Sequence, residues 1–126
     1  FSLTSPIFES VNNFEESRAS GLILSYGLGL SVSGKTLTIR AETYCVTSVV
    51  KSGFKNLVVQ RKLSTSSTWS DYYDYGDLYN DTYAALLTTN LAVSSGYQYR
   101  VTCKHYAKKS LLVTENISHV SNIVTV

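Results

Sequence analysis

The strongest constraint on the fold is the alternation in residues 97–108, YQYRVTCKHYAK. Odd-numbered positions hold Tyr97, Tyr99, Val101 and Cys103, and even-numbered positions hold Arg100, Thr102, Lys104 and Lys108. Successive side chains of a β-strand point to opposite faces of its sheet, so this period of two predicts a half-buried strand. One face of this strand is predicted to enter a core, and the other is predicted to carry positive charge.

Similar strand-like segments recur along the chain at 34–45, 54–64, 82–93, 110–118 and 121–126. Turn signals separate them, including Ser33-Gly34-Lys35, Lys51-Ser52-Gly53 and Ser94-Ser95-Gly96. The 126 residues fit one domain, and no segment has the period of an amphipathic helix. We therefore predict an all-β fold for residues 21–126, an antiparallel β-sandwich of the immunoglobulin/fibronectin type III-like kind.

Two cysteines, Cys45 and Cys103, fall on the predicted inward faces of an early and a late strand. Their spacing suits neither a zinc site nor a CxxC redox pair, so we expect one disulfide between the sheets, with two buried free thiols as the alternative. The chain also lacks an initial Met, which a removed signal peptide would explain. We expect a secreted protein, extracellular or on the cell surface. No apolar run approaches the roughly 18 residues of a membrane span.

The segment VSSGYQYRV, residues 93–101, resembles the fibronectin type III pattern in which an apolar residue, a turn and a Gly precede Tyr-x-Val. Val93 is the apolar residue in this comparison. The resemblance implies that Tyr99 is a tyrosine corner, whose hydroxyl bonds back to the chain upstream.

Four features together resemble small secreted proteins of Gram-positive, mainly clostridial, bacteria. They are the Val58-Val59-Gln60-Arg61 run, Trp69 after a short polar loop, the Ser95–Val101 segment, and the His105-Tyr106-Ala107 segment. The likeness covers roughly Gly21 to the C-terminus. It implies a secreted β-domain without an established activity.

Residues 1–20 are predicted to form an N-terminal arm, because they have no clean period and Pro6 would interrupt a central strand. An ordered apolar arm must lie on something. We expect either an edge strand on its own domain or a strand added to a neighbouring subunit. The apolar residues that would make this contact are Phe1, Leu3, Ile7, Phe8, Val11 and Phe14.

The segment Trp69–Tyr83 is rich in Tyr and Asp and contains no Lys, Arg or His. Tyr side chains suit sugar stacking and protein interfaces, because they bring large contact area at low entropic cost. The Asp spacing does not match an EF-hand loop, and Trp69 with one or two Tyr could instead cap the end of the sandwich. The residues predicted to bind a ligand or partner are Tyr72, Tyr73, Asp74, Tyr75, Asp77 and Tyr79.

A basic stripe is predicted on the outward face of two neighbouring strands, made by Lys62, Arg100, Lys104 and Lys108. A nucleic-acid partner is not predicted, because the net charge is only +2 and Tyr106 is the one aromatic residue expected there. No catalytic or cofactor motif is present, so neither an enzyme nor a cofactor is predicted. A nucleophilic Cys103–His105 pair is conceivable, but a packed His105 ring is the simpler interpretation.

These observations predict a non-enzymatic extracellular structural protein that assembles with copies of itself, such as a surface filament or surface-layer subunit. Its acidic tyrosine segment would meet the basic stripe of the next copy. The alternative is a secreted, adhesin-like module that binds a glycan or a cell-surface protein through Trp69–Tyr83.

Overall fold

The computed structural model describes the backbone of residues 16–18 and the whole of residues 21–126. Within that part of the chain every regular element is a β-strand. The strands are β1 Glu16–Arg18, β2 Ile23–Ser33, β3 Thr36–Cys45, β4 Lys51–Leu63, β5 Ser70–Asn80, β6 Ala84–Ala92, β7 Tyr97–Ser110, β8 Val113–Val120 and β9 Val124–Thr125.

The strands form two antiparallel sheets that pack face to face. Sheet A has the order β1-β2-β3-β6, and sheet B has the order β5-β4-β7-β8, with β9 also pairing with β7. If β2 to β8 are lettered A, B, C, C′, E, F and G, the sheets become A-B-E and C′-C-F-G, an immunoglobulin-like arrangement. The predicted antiparallel β-sandwich is confirmed.

The main core lies between the sheets and is built from the inward side chains of both. Its fully buried members include Leu37 and Ile39 from sheet A, and Phe54, Val59 and Val101 from sheet B. Removing such side chains from water is the main favourable term in folding, at about 25 cal/mol per Å² of apolar surface. A smaller cluster of Ile23, Cys45, Val49 and Ala107 fills the end of the sandwich where β2 begins.

The predicted Cys45–Cys103 disulfide is wrong, because both cysteines are free and buried. Both face inward, as the alternation predicts, but they lie at different heights along the sandwich. Cys45 packs with Ala107 in the smaller cluster, whereas Cys103 belongs to the main core. Cys103 and Ala107 are four residues apart on β7, about 13 Å at strand rise, well beyond the roughly 7 Å Cα separation that a disulfide tolerates.

The predicted tyrosine corner is confirmed. The Tyr99 hydroxyl accepts a hydrogen bond from the Ser94 backbone N–H at 3.0 Å and donates to the Ser94 carbonyl at 3.3 Å. The ring of Tyr99 is completely buried. One side chain therefore anchors the turn between β6 and β7 to the main core.

We expect Tyr99→Phe to lower the free energy of unfolding by about 1–2 kcal/mol, because it leaves the Ser94 N–H without its partner. Urea denaturation would measure this change. Tyr97→Phe is the matched control, since the Tyr97 hydroxyl makes no hydrogen bond within residues 21–126. Equal losses in the two variants would contradict the role assigned to the Tyr99 hydroxyl.

The N-terminal arm is described only at Glu16–Arg18. These residues pair with β2 of their own chain, with Glu16 opposite Gly27 and Arg18 opposite Ser25. Further along the same edge, the Asn122 side chain accepts from the Leu30 N–H at 2.9 Å and donates to the Leu30 carbonyl at 3.0 Å. The apolar arm residues predicted to make contacts, Phe1, Leu3, Ile7, Phe8, Val11 and Phe14, lie outside the described residues. Across the part of the chain that is described, no helix is long and apolar enough to pass through a membrane.

Candidate functional site

Of the four tyrosines predicted to bind a ligand, two pack against the core and two are exposed to solvent. They lie on β5, an edge strand that pairs with β4. Tyr72 and Tyr75 pack against the main core, and the Tyr72 hydroxyl donates to the Ala92 carbonyl at 2.9 Å. Tyr73 and Tyr79 are exposed. Only the second pair is therefore available to a partner over a large area.

The aspartates of the same strand are engaged by neighbouring groups. Asp77 accepts from the Asn56 backbone N–H at 2.8 Å, and Asp74 accepts from the Gly76 N–H at 2.7 Å. Asn56 and Gly76 both have positive φ, 51° and 71°, at irregularities in the β4–β5 pairing. These carboxylates thus support the strand geometry. Within the described ranges, no group of three or more His, Cys, Asp or Glu side chains could hold a metal ion.

The outward face of sheet B carries two pairs of lysines directly opposite each other. Lys51 is the register partner of Lys108, and Lys55 is the register partner of Lys104. Like charges directly opposite on neighbouring strands are destabilising. Lys51 is relieved by Asp81, with 3.9 Å between Nζ and Oδ1, which is the one ion pair found among the described residues. Among the described residues no carboxylate lies within ion-pair distance of Lys55 or Lys104, although Asp77 accepts from the N–H of Asn56, next to Lys55.

Two tyrosine rings lie among these lysines. Tyr79 from β5 and Tyr106 from β7 meet edge to face over Gly53, with 5.3 Å between ring centroids. The Lys55 ammonium lies 4.6 Å from the centre of the Tyr106 ring, and the Lys51 ammonium lies 5.4 Å from that of Tyr79. Burial raises the pKa of the Tyr79 phenol, and the Asp77 carboxylate adds to the effect.

Trp69 forms a second aromatic cluster at the other end of the same face. The Arg100 guanidinium lies 4.2 Å from the centre of the indole, and the Lys62 ammonium lies 5.8 Å from it. Arg100 also donates from Nε to Gln60 at 2.9 Å, and the Gln60 amide donates to Asp71 at 3.0 Å. The indole therefore packs against the strands of sheet B and does not close the end of the sandwich.

We call this surface the cation–aromatic face. It consists of Lys51, Lys55, Lys62, Arg100, Lys104 and Lys108 together with Trp69, Tyr79 and Tyr106. The structure places the four residues of the predicted basic stripe on it. Sequence reasoning missed Lys51 and Lys55, and it did not place Trp69 or the predicted ligand-binding residue Tyr79 beside the lysines. The positive charge of Lys51 and Lys55 was visible in the sequence, but strict alternation would put Lys55 and Lys62 on opposite faces of β4. The bulge at Asn56 shifts the alternation by one residue, so both side chains lie on the outward face.

A pair of histidines, the buried His105 and the half-exposed His119, lies on the inner side of the same sheet. His105 is completely buried, and its Nδ1 lies 2.8 Å from the Thr43 hydroxyl, which donates to the Gly53 carbonyl. Because that hydroxyl has a single proton, we assign the Nδ1–H tautomer to His105. Its Nε2 is then the acceptor for His119 Nδ1, at 2.9 Å. Burial, assisted by the neighbouring His119, lowers the pKa of His105 to about 3.

The cysteines are poorly suited to nucleophilic chemistry. Burial raises the pKa of the Cys45 and Cys103 thiols to about 12, so both are protonated at neutral pH. The nitrogens of His105 are engaged by Thr43 and His119. The conceivable Cys103–His105 nucleophile pair therefore gains no support from the geometry.

Comparison with known proteins finds no matching family model, no matching curated protein and no matching solved structure. The resemblance to small secreted proteins of Gram-positive bacteria therefore stays a prediction.

Proposed function

We propose that this protein is a non-enzymatic binding module, acting outside the cell, whose cation–aromatic face holds an anionic glycan. The observation that carries the proposal is the Lys55–Lys104 pair, two cations opposite each other on neighbouring strands. Such a pair costs stability unless an anion lies across it. A carboxylate or sulfate group of a ligand would supply that anion, with charge-assisted hydrogen bonds from both ammonium groups.

The aromatic residues favour a glycan over other polyanions. Trp69, Tyr79 and Tyr106 offer flat rings for stacking, and Arg100 extends the cationic surface beside Trp69. Asp71 lies at the rim of the same face, where a carboxylate can accept hydrogen bonds from sugar hydroxyls. A second carboxylate, Asp81, pairs with Lys51. Carboxylates would repel the continuous phosphates of a nucleic acid, and the net charge of +2 is small for that partner.

We expect the double variant Lys55→Gln/Lys104→Gln to bind heparin, used as a sulfated glycan probe, at least about tenfold more weakly than wild type. The same variant should unfold at equal or slightly higher urea concentration, because it removes a repulsion of about 0.2–1 kcal/mol. Titration calorimetry and urea denaturation give the two readouts. A loss of binding together with a gain of stability separates a functional role from a structural one.

Lys35→Gln/Arg40→Gln is the matched control, since it removes the same charge from the β2–β3 turn and from sheet A. Equal losses of heparin binding in the two double variants would mean that net charge alone drives binding, and the proposed site would be rejected. Tighter binding of a single-stranded oligo(dT) than of heparin would also count against a glycan. A third variant, Trp69→Ala, tests whether ring stacking contributes.

Self-assembly is the second candidate function, and charge separation favours it. Exposed Tyr73 lies on the acidic edge strand β5, and the basic residues lie on the adjoining face, so a head-to-tail contact between copies is geometrically available. The described end of the arm pairs within its own chain, which favours this contact over a donated strand. Size-exclusion chromatography with light scattering would detect it, and a monomer at high concentration would exclude it.

A further inference from the structure

The β7–β8 hairpin exposes two leucines at its tip. Leu111 and Leu112 are 82% and 92% exposed, the highest values among the exposed large hydrophobic side chains of the described residues. Val113, 44% exposed, follows directly. Val50, 55% exposed, lies at the same end of the sandwich, because its N–H donates to the Lys108 carbonyl at 2.9 Å. One end of the sandwich therefore ends in a small apolar cap, which we call the leucine tip.

Turn formation does not account for these leucines. Two-residue hairpin connections favour Asn, Asp and Gly, which adopt positive φ at low cost. Asn56 is the only residue other than Gly with positive φ among those described, so neither leucine adopts that conformation. The turns at the opposite end of the molecule contain Gly34 and Gly96, both with positive φ. Leu-Leu at this turn thus exposes apolar surface that folding does not require.

Three lysines lie near the leucine tip. Lys108 and Lys109 precede it on β7, and the irregular pairing between Lys108 and Ser110 leaves Lys109 exposed. Lys51 is the register partner of Lys108. Two carboxylates are also at this end: Asp81 pairs with Lys51, and Glu115 accepts a hydrogen bond from the Leu22 N–H at 2.9 Å, which leaves Lys108 and Lys109 as the lysines next to the leucines.

We propose that this end of the sandwich docks on an anionic lipid surface, with Leu111 and Leu112 entering the headgroup region and the lysines contacting lipid headgroups. Peripheral membrane binding grows with buried apolar area and with attraction between basic residues and anionic lipids. The leucine tip has four apolar side chains, whereas a standard protein interface takes about 20–30 residues from each partner. Charge complementarity therefore favours a lipid surface as the occupant.

The test is co-sedimentation of the full chain with phosphatidylcholine vesicles, with and without phosphatidylserine. Wild type should bind the phosphatidylserine vesicles at least about tenfold more tightly than the neutral vesicles, and high salt should weaken binding. Leu111→Ser/Leu112→Ser should reduce binding about tenfold or more. Both leucines are exposed, so circular dichroism should show an unchanged fold.

Leu63→Ser is the matched control, because Leu63 is 50% exposed at the opposite end of the molecule. This variant and Lys55→Gln/Lys104→Gln should retain most of the vesicle binding, which separates this proposal from the glycan site. The proposal would be overturned if wild type bound neither kind of vesicle. It would also be overturned if the Leu111→Ser/Leu112→Ser variant bound as tightly as wild type. Dimerisation that depends on the two leucines would overturn it as well, by assigning the leucine tip to a second copy.

Discussion

Acidification is expected to destabilise this fold well before its carboxylates titrate, because His105 is buried in its neutral form. The folded-state pKa of His105 is about 3, whereas an unfolded histidine has a pKa near 6.5. Between these values the unfolded chain binds a proton that the folded chain does not, so stability falls as the pH falls. Each pH unit costs about 1.4 kcal/mol, which gives about 2–3 kcal/mol between pH 6.5 and pH 4.5. Burial also lowers the pKa of His119, which adds to the loss with the same sign.

Urea denaturation at steps from about pH 7.5 to about pH 4.5 measures this dependence. His105→Gln retains an amide that can donate to Thr43 and accept from His119, but it cannot titrate. We expect this variant to be less stable than wild type at neutral pH and to show a flatter pH profile. The matched change His119→Gln alters the half-exposed partner and should flatten the profile less. Parallel profiles for wild type and His105→Gln would contradict the assignment of acid sensitivity to His105.

The burial of His105 illustrates how much of this molecule alternation alone predicts. A period of two places Cys103, His105 and Tyr99 on the inner face of β7, and the structure has all three there. The same period places Lys104 and Arg100 outside. Parity assigns each side chain to a face, and hydrophobic burial then selects which face is inside. The tyrosine corner could also be predicted, because its partners are only five residues apart in the chain.

The wrongly predicted disulfide shows what the period of two does not determine. Cys45 and Cys103 both face inward, but the relative height of two facing sheets depends on packing over the whole core. The hydrogen bond between Thr43 and His105 shows the actual register, in which the residue two after Thr43 meets Ala107 and not Cys103. No short-range signal in the sequence reports that offset.

The cation–aromatic face could not be predicted from the sequence, because it depends on irregularities in strand pairing. In β4 the inward residues Phe54 and Leu57 are three apart, and in β5 the core-packed residues Tyr72, Tyr75 and Leu78 are also three apart. Bulges around Asn56 and Gly76 interrupt the period of two in both strands. Because each bulge moves the residues after it to the opposite face, sequence alone cannot bring Trp69 and Tyr79 beside the lysines.

Gly53→Ala is expected to cost about 3 kcal/mol or more, because a Cβ atom there would collide with the Leu78 backbone carbonyl. The neighbouring backbone of β5 cannot yield as a flexible side chain could, so β4 and β5 must separate. Tyr79 and Tyr106, which meet over Gly53, should lose their contact, and heparin binding should weaken together with the urea midpoint. Gly34→Ala is the matched control, since its Cβ would meet nothing within 4 Å and its cost comes only from a φ of 59°. If Gly53→Ala proved no more destabilising than Gly34→Ala, the close approach of β5 to Gly53 would not be the constraint that holds this face together.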